Sequence, residues 1–274
     1  MIKYIRHIII KYIRHILYLL YSFLRKNIQK RYIRINLSNK GKIYFYDNVK
    51  KYFFSVFVRE RIDSITADQV FTSNDYDLTF LKRYDELLEK YNSILSQNKT
   101  PLIIDCGANI GLSAFHFATA FPNSTVVAIE PERNNFLMME KNCKGFQNVE
   151  FLNKAVGSEE GFVSIDNDQV DNNAYRVSRN ENEIGDIEIV SINSIFLSRN
   201  ELVPFLIKID IEGFEDDLFS NNTEWVEKFP LLIIETHDWM LPQQANSHNF
   251  LKVISEQQRD FIHKGENIFS ISNV

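Results

Sequence analysis

The chain has 274 residues, 45% hydrophobic and 13% aromatic, which is enough apolar material for one substantial core with a small appendage. Only two cysteines occur, Cys106 and Cys143, with no CxxC pair; this excludes a disulfide-stapled scaffold and points to free thiols in a reducing compartment. The net charge of −5 hides a division: residues 1–46 hold eleven Lys or Arg and no acid, the remainder twenty basic and thirty-six acidic residues, and so acidic a body is unsuited to nucleic acid.

The basic leader opens with a repeat, IKYIRHI at Ile2–Ile8 and again at Ile10–Ile16. On a helix, Ile2, Ile5, Ile9, Ile13, Ile16, Leu20 and Phe23 share one face, and Lys3, His7, Lys11, Arg14 and Arg25 lie on the other. Lys11 and Arg14 interrupt any membrane span, and the apolar run Ile16–Leu24 is too short to cross. No small-residue cleavage site follows it, as a signal peptide would require. The expectation is a basic amphipathic segment that attaches the chain, through residues 1–34, to an anionic membrane surface or a protein partner, or packs on its own domain. The expected location is the cytoplasm, at the inner face of the membrane where the segment binds lipid.

Three regions follow from the composition: the leader 1–46, a strand and helix extension 47–98, and a main domain 99–274. Lys42–Val58 is rich in aromatic and β-branched residues and predicts one or two strands. A loop then leads into a helix in which Leu78, Leu81, Leu88 and Tyr91 recur at helical spacing, and Ser96–Pro101 marks a boundary. Beyond it, apolar strands alternate with helices: LIIDCG, then GLSAFHFATAF; STVVAIEP, then ERNNFLMMEKNCKGF; NVEFLNKAVG. GFVSID and IEIVSINSI read as further strands or a hairpin, FLIKIDIEG and PLLIIETH as buried strands flanking a helix near Glu215–Phe219. NFLKVISEQQ is a helix, and a hairpin around Lys264–Asn267 ends the chain. The pattern predicts an α/β protein with a doubly wound, mostly parallel sheet carrying an antiparallel C-terminal edge strand.

Ligands of such sheets bind beyond the carboxyl ends of the strands. DCGANIG, Asp105–Gly111, is a strand-to-helix turn holding two of only nine glycines. Gly107 and Gly111 permit close approach of a ligand, and Asp105 can accept from an ammonium or from loop amides. Glu130 ends the next strand nineteen residues after Gly111, suited to two ribose hydroxyls. The dinucleotide fingerprint GxGxxG fails because Asn109 replaces its second glycine, and no Walker A sequence exists. A GxNxG loop behind an acid suits a nucleoside with an amino-acid tail, the shape of S-adenosylmethionine.

With DCGANIG, AIEP, NKAVGS, KIDIEGFE and LLIIE in this order, the chain resembles the FkbM family of S-adenosylmethionine-dependent methyltransferases from about Asp68 to the C-terminus. The most specific part is the KxDxEGxE block, met by Lys208, Asp210, Glu212, Gly213 and Glu215. The resemblance implies a Rossmann-like class I methyltransferase fold, with Asp105, Gly107, Ala108, Asn109 and Gly111 around the methionine end of the cofactor. It implies Glu130 at the ribose and the region of Asn153–Ala155 beside the adenine. It also implies O-methylation of a hydroxyl on a sugar, glycan or related metabolite. One departure stands out: the strand before the block often carries Asp where this chain has Asn193.

Strand alternation sets Lys208, Asp210 and Glu212 on one face. Asp210 or Glu212 is then expected to act as base or acceptor clamp, with Lys208 orienting them. Asp210, Glu212, Glu235 and His237 could also converge on a divalent metal, although acids bind hydroxyls and cap helices without one. Glu215 is expected in a first helical turn, where a carboxylate favours the helix dipole. His116 and Cys106 read as packed core residues. Two further readings stand beside methyl transfer: an NAD-dependent sugar-modifying enzyme on a related fold, which the missing glycine disfavours, and a non-catalytic scaffold docked at a membrane.

Overall fold

The structure is a computed structural model and describes residues 30–37, 41–166, 176–178, 186–197, 199 and 201–274. Three strands come first, β1 (Tyr32–Ile35), β2 (Lys42–Asp47) and β3 (Tyr52–Phe57), and then α1 (Arg61–Ala67) and α2 (Tyr84–Ser96). The sheet-and-helix alternation follows: β4 (Thr100–Cys106), α3 (Leu112–Ala120), β5 (Thr125–Ile129), α4 (Arg133–Cys143) and β6 (Val149–Leu152). A side sheet is built from β7 (Ala155–Gly157), β8 (Gly161–Asp166), β9 (Arg176–Ser178) and β10 (Ile187–Ser191). After α5 (Ile192–Leu197) come β11 (Leu202–Ile209), the single turn α6 (Glu215–Leu218), β12 (Leu231–Glu235), α7 (His248–Ser255), β13 (Arg259–Lys264) and β14 (Asn267–Ser272).

The central sheet has the order β13-β14-β12-β11-β4-β5-β6. From β12 to β6 every pairing is parallel, while β14 runs antiparallel to β12 and β13 to β14. This is the doubly wound, Rossmann-like sheet with the antiparallel edge predicted from sequence. Apolar runs without a polar side imply a strand covered on both faces, and the side chains divide accordingly. Ile103, Val126, Ala128, Leu231 and Ile233 enter one core with α3, α4 and the N-terminal sheet. Their neighbours Ile104, Val127, Ile129, Leu232 and Ile234 enter the other with α5, α6 and α7.

Register brings one row of residues to the carboxyl edge. Cys106 pairs with Ile129 on one side and Ile209 on the other, and Ile209 pairs with Ile234. The next residues along, Gly107, Glu130, Asp210 and Glu235, therefore leave the sheet side by side. The charge that ends each apolar strand lies where the sheet opens to a ligand.

Four expectations need correction. Residues 31–35, read as part of the basic leader, supply β1, which buries Tyr32 and pairs with β2, while Lys42–Val58 gives the strands expected there, β2 and β3. The cations of residues 31–35 meet acids of the folded body: Arg31 lies 3.5 Å from Asp47, and Arg34 pairs with Asp68. Ring contacts of Tyr32 with Phe71 at 5.1 Å, and of Phe54 with Phe115 at 4.9 Å, fasten this sheet to the helical turn Asp68–Thr72 and to α3. Such pairs each add about 0.5–1.5 kcal/mol beyond burial. The expected helix does not include Leu78 or Leu81; Leu78 begins a 3-10 turn and α2 starts at Tyr84. NVEFLNKAVG is two strands in different sheets, β6 and β7. Asn193 lies in helix α5, where Nδ2 donates to Asn222 O at 3.0 Å, not in a strand. The expected amphipathic helix falls on residues 1–29, outside the described residues, apart from its end at 30–34. Among the described residues no helix is long and apolar enough to cross a membrane.

His116 is buried in α3 as expected, its Nδ1 3.3 Å from the Tyr32 hydroxyl. Burial, helped by the charge of Arg31, pushes its pKa down to about 3. The unfolded chain titrates that ring near 6.5 and so binds a proton the folded chain refuses between roughly pH 6.5 and 3. Stability from the neutral ring is therefore complete above pH 6.5 and is lost as pH falls through that window. The thermal midpoint of the wild type is expected to drop more between about pH 7 and pH 4.5 than that of His116→Gln, measured by circular dichroism; parallel curves would refute this.

Candidate active site

The loop after β4 is shaped by three left-handed residues. Gly107 has φ +74°, and a Cβ built on it would lie 1.8 Å from the Asp210 carbonyl oxygen, so only glycine lets the tips of β4 and β11 touch. Asn109 has φ +49°, a region asparagine tolerates better than most residues. Its amide donates to Glu130 Oε2 at 2.8 Å, and the Glu132 amide donates to Oε1 at 3.0 Å. Burial raises the Glu130 carboxyl to about 7 against these amides, which lower it. Gly111 serves a different purpose from the one expected: at φ +83° its missing Cβ would meet Met139 Cγ at 2.8 Å, so it lets α3 and α4 pack closely. It does not line either of the two cavities at this edge.

The narrower cavity is bounded by Gly107, Asn109, Glu130, Ala155, Asp210 and Glu212, together with apolar Ile129 and Val156. The wider one, about 710 Å³, is reached across the same Gly107, Asn109, Asp210 and Glu212 and takes in Ala108, Lys208, Glu235 and His237. Asn153 lines neither; its Nδ2 donates to the carbonyls of Glu130 and Pro131, both at 2.9 Å, and fixes the β5 tip. Asp105 lies behind the cavities, fully buried, and accepts from Ser113 Oγ at 2.6 Å.

Lys208 ties the two strand tips together. Its Nζ donates to Gly107 O at 2.8 Å and lies 3.3 Å from Asp105 Oδ1 and 3.2 Å from Asp210 Oδ2. Burial pulls its pKa down, but the charges of Asp210 and Asp105 outweigh it and leave the ammonium well above its usual range. Lysine in a buried strand is thus a fully paired cation.

Asp210, Glu212 and His237 converge, each offering a ligand atom within 4.8 Å of the others. Glu212 has φ +53°, a backbone state that costs a non-glycine residue energy and turns its carboxyl into this cluster. Burial and the neighbouring Asp210 hold Glu212 up to about 8 and Glu235 up to about 7. Burial would lower His237, but the hydrogen bond and charge of Glu215, with the charges of Asp210 and Glu212, raise it to about 9.

Two features escaped the sequence reading. Glu215 does begin α6, but it is fully buried, and its Oε1 lies 2.8 Å from His237 Nδ1 while Oε2 accepts from Asn246. Its place in the KxDxEGxE block was the available signal. The far wall of the wide cavity comes from the N-terminal extension, through Ile62, Gln69, Asp75 and buried Tyr76. Lys264 holds this wall by bonding to the carbonyls of Asn74 and Asp75, a pairing across about 190 positions that no local pattern reveals. Cys106 is buried, and burial pushes its thiol far up, which makes it a packing residue rather than a nucleophile.

The family model of the methyltransferase FkbM domain matches residues 105–262, the span holding both cavities' strand tips. No curated protein matches the chain in sequence. Among solved structures, a Klebsiella pneumoniae protein classed as an O-methyltransferase is 13% identical, with 70% of this chain and 81% of that one covered at a TM-score of 0.40. A Staphylococcus aureus protein classed as a caffeoyl-CoA O-methyltransferase is 13% identical, with 76% and 100% covered at 0.38. TrmK of M. capricolum, in complex with S-adenosylhomocysteine, is 12% identical, with 66% of each chain covered at 0.32.

Proposed function

Because the chain belongs to the FkbM methyltransferase family, whose model spans more than half of it, we propose that it moves a methyl group from S-adenosylmethionine to a hydroxyl of a sugar, glycan or related metabolite. The observation that carries this reading is the wall shared by the two cavities: Gly107, Asn109, Asp210 and Glu212 border both. A donor in the narrow cavity and an acceptor in the wide one meet across those four residues.

The narrow cavity suits that cofactor chemically. Glu130 accepts one loop amide on each carboxylate oxygen, and each oxygen keeps lone-pair capacity for a ribose hydroxyl. Ile129, Ala155 and Val156 offer apolar surface for a base. S-adenosylmethionine, when bound, supplies an activated methyl group on a positively charged sulfur. Asp210 and Glu212 favour a cation at the shared wall, whereas a diphosphate would meet two acids there.

The chain's own task is alignment and proton removal. Lys208 and Gly107 fix the β4 and β11 tips against each other, which sets the spacing between the cavities. As a hydroxyl oxygen bonds to carbon and the carbon–sulfur bond breaks, the hydroxyl proton passes to a carboxylate of the shared wall, Asp210 or Glu212. Gln69, Asn267 and Trp239 add polar and flat apolar surface to the wide cavity, the mixture a sugar ring needs. A lipid-carried glycan would suit the basic segment expected before residue 30 and a position at the inner membrane face; that attachment is part of the proposal and lies outside the described residues.

Calorimetry with the two rival ligands tests the cofactor. S-adenosylmethionine and S-adenosylhomocysteine are expected to bind saturably and NAD not at all. Saturable NAD binding without either would favour the NAD-dependent alternative. Binding with no measurable change of activity on any Asp210 variant would favour the scaffold.

A further inference from the structure

His237 is held from behind by a carboxylate that the transfer chemistry does not use. Nδ1 lies 2.8 Å from Oε1 of buried Glu215. Glu215 also accepts from Asn246 and, more loosely, from the amides of Ile211 and Gly213 at 3.3 and 3.4 Å. With Nδ1–H donated to Glu215, Nε2 is left facing the opposite side, where a cation would take the place of its proton. There it faces Asp210 Oδ1 at 3.5 Å, Glu212 Oε2 at 3.5 Å and Glu235 Oε1 at 3.7 Å. These separations are long for hydrogen bonds. They do suit donor atoms around one shared ion, since ligand distances of about 2.1 Å set neighbouring donors about 3.0–3.4 Å apart.

We propose that Asp210, Glu212 and His237 bind a divalent cation of the manganese type on the floor of the wide cavity, with Glu235 at its edge. Three observations carry this. The ring is 2% exposed and aimed by Glu215, the arrangement in which a carboxylate fixes the tautomer of a metal-binding histidine. Asp210 divides its oxygens, Oδ2 toward Lys208 and Oδ1 toward His237, so one oxygen stays available. The carboxyl groups of Asp105 and Asp210 face Lys208, while those of Asp210, Glu212, Glu215 and Glu235 gather around His237, a concentration of donor oxygens that suits a dication. The two carboxylates suit manganese, and the imidazole separates it from ions that take oxygen ligands alone. The cavity beyond leaves room for water or acceptor oxygens on the ion. That the ion holds an acceptor hydroxyl rests on the function proposed above; the cation site itself does not.

The test uses the full chain, stripped with a chelator and titrated with Mn²⁺ under electron paramagnetic resonance, with S-adenosylhomocysteine affinity measured on the same samples. The wild type is expected to bind one Mn²⁺ whose spin echo shows coupling to a histidine nitrogen. His237→Ala should abolish that coupling and weaken binding at least about 100-fold, while Glu215→Gln, which keeps the shape, should weaken it roughly 10–100-fold. Glu212→Gln guards against misfolding of the larger truncation and should also weaken Mn²⁺. No bound Mn²⁺ on the wild type at about 1 mM, or a nitrogen coupling that survives His237→Ala, overturns the site. Specific Mn²⁺ binding without S-adenosylhomocysteine binding would support the site and overturn the cofactor reading.

Discussion

Asp210→Asn is expected to lower methyl transfer by roughly 10²–10⁴-fold, the usual contribution of a positioned proton acceptor. Asparagine keeps the shape of the side chain but cannot take a hydroxyl proton. It also keeps an oxygen near Lys208, whose ammonium retains Gly107 O and Asp105 as partners. The loss should therefore fall mainly on turnover, with S-adenosylhomocysteine affinity by calorimetry changing far less. Asp210 borders both cavities, unlike Glu235, which borders only the wide one. Glu235→Gln should accordingly cost less than Asp210→Asn. Unchanged turnover in Asp210→Asn would remove that residue from the chemistry.

Gly107→Ala should damage stability more than alanine at Gly41, Gly111 or Gly265. The new carbon would sit 1.8 Å from Asp210 O and 2.8 Å from Asp210 C, both backbone atoms that cannot rotate away. The left-handed backbone at φ +74° adds about 1–3 kcal/mol of its own. A total loss above about 3 kcal/mol corresponds to a fall in thermal midpoint on the order of 10 °C for a domain of this size. Moving the β11 tip also displaces Asp210 from the shared wall, so cofactor binding should weaken together with stability. Gly145→Ala is the control, since nothing lies within 4 Å of a Cβ there. Equal melting of the two variants would refute the close approach.

The central sheet was readable because its strands are covered on both faces, so LLIIE and LIIDC carry an apolar signal that no loop imitates. The acids that interrupt those runs, Glu130, Asp210 and Glu235, were readable as site candidates for the same reason: a buried strand tolerates charge only where it ends. What could not be read was pairing across distance. Arg31 and Arg34 looked like part of a membrane-seeking leader because their acids, Asp47 and Asp68, lie farther along the chain. Glu215 looked like a dipole cap because its contacts with His237 and Asn246 depend on β12 and the loop after it. Gly111 and Asn153 sit at the right places in the pattern, yet the fold uses them to pack helices and fix a strand tip. Tyr76 had no local signal at all; it reaches the cavity because the N-terminal extension folds over the sheet edge.

The most direct measurement is transfer of labelled methyl from S-adenosylmethionine to hydroxylated glycan fractions by the purified chain, with the linkage then identified. Label is expected in a methyl ether on a sugar oxygen, formed by the wild type and nearly absent with Asp210→Asn. Label found on nitrogen or carbon, or transfer undiminished in Asp210→Asn, would contradict this expectation.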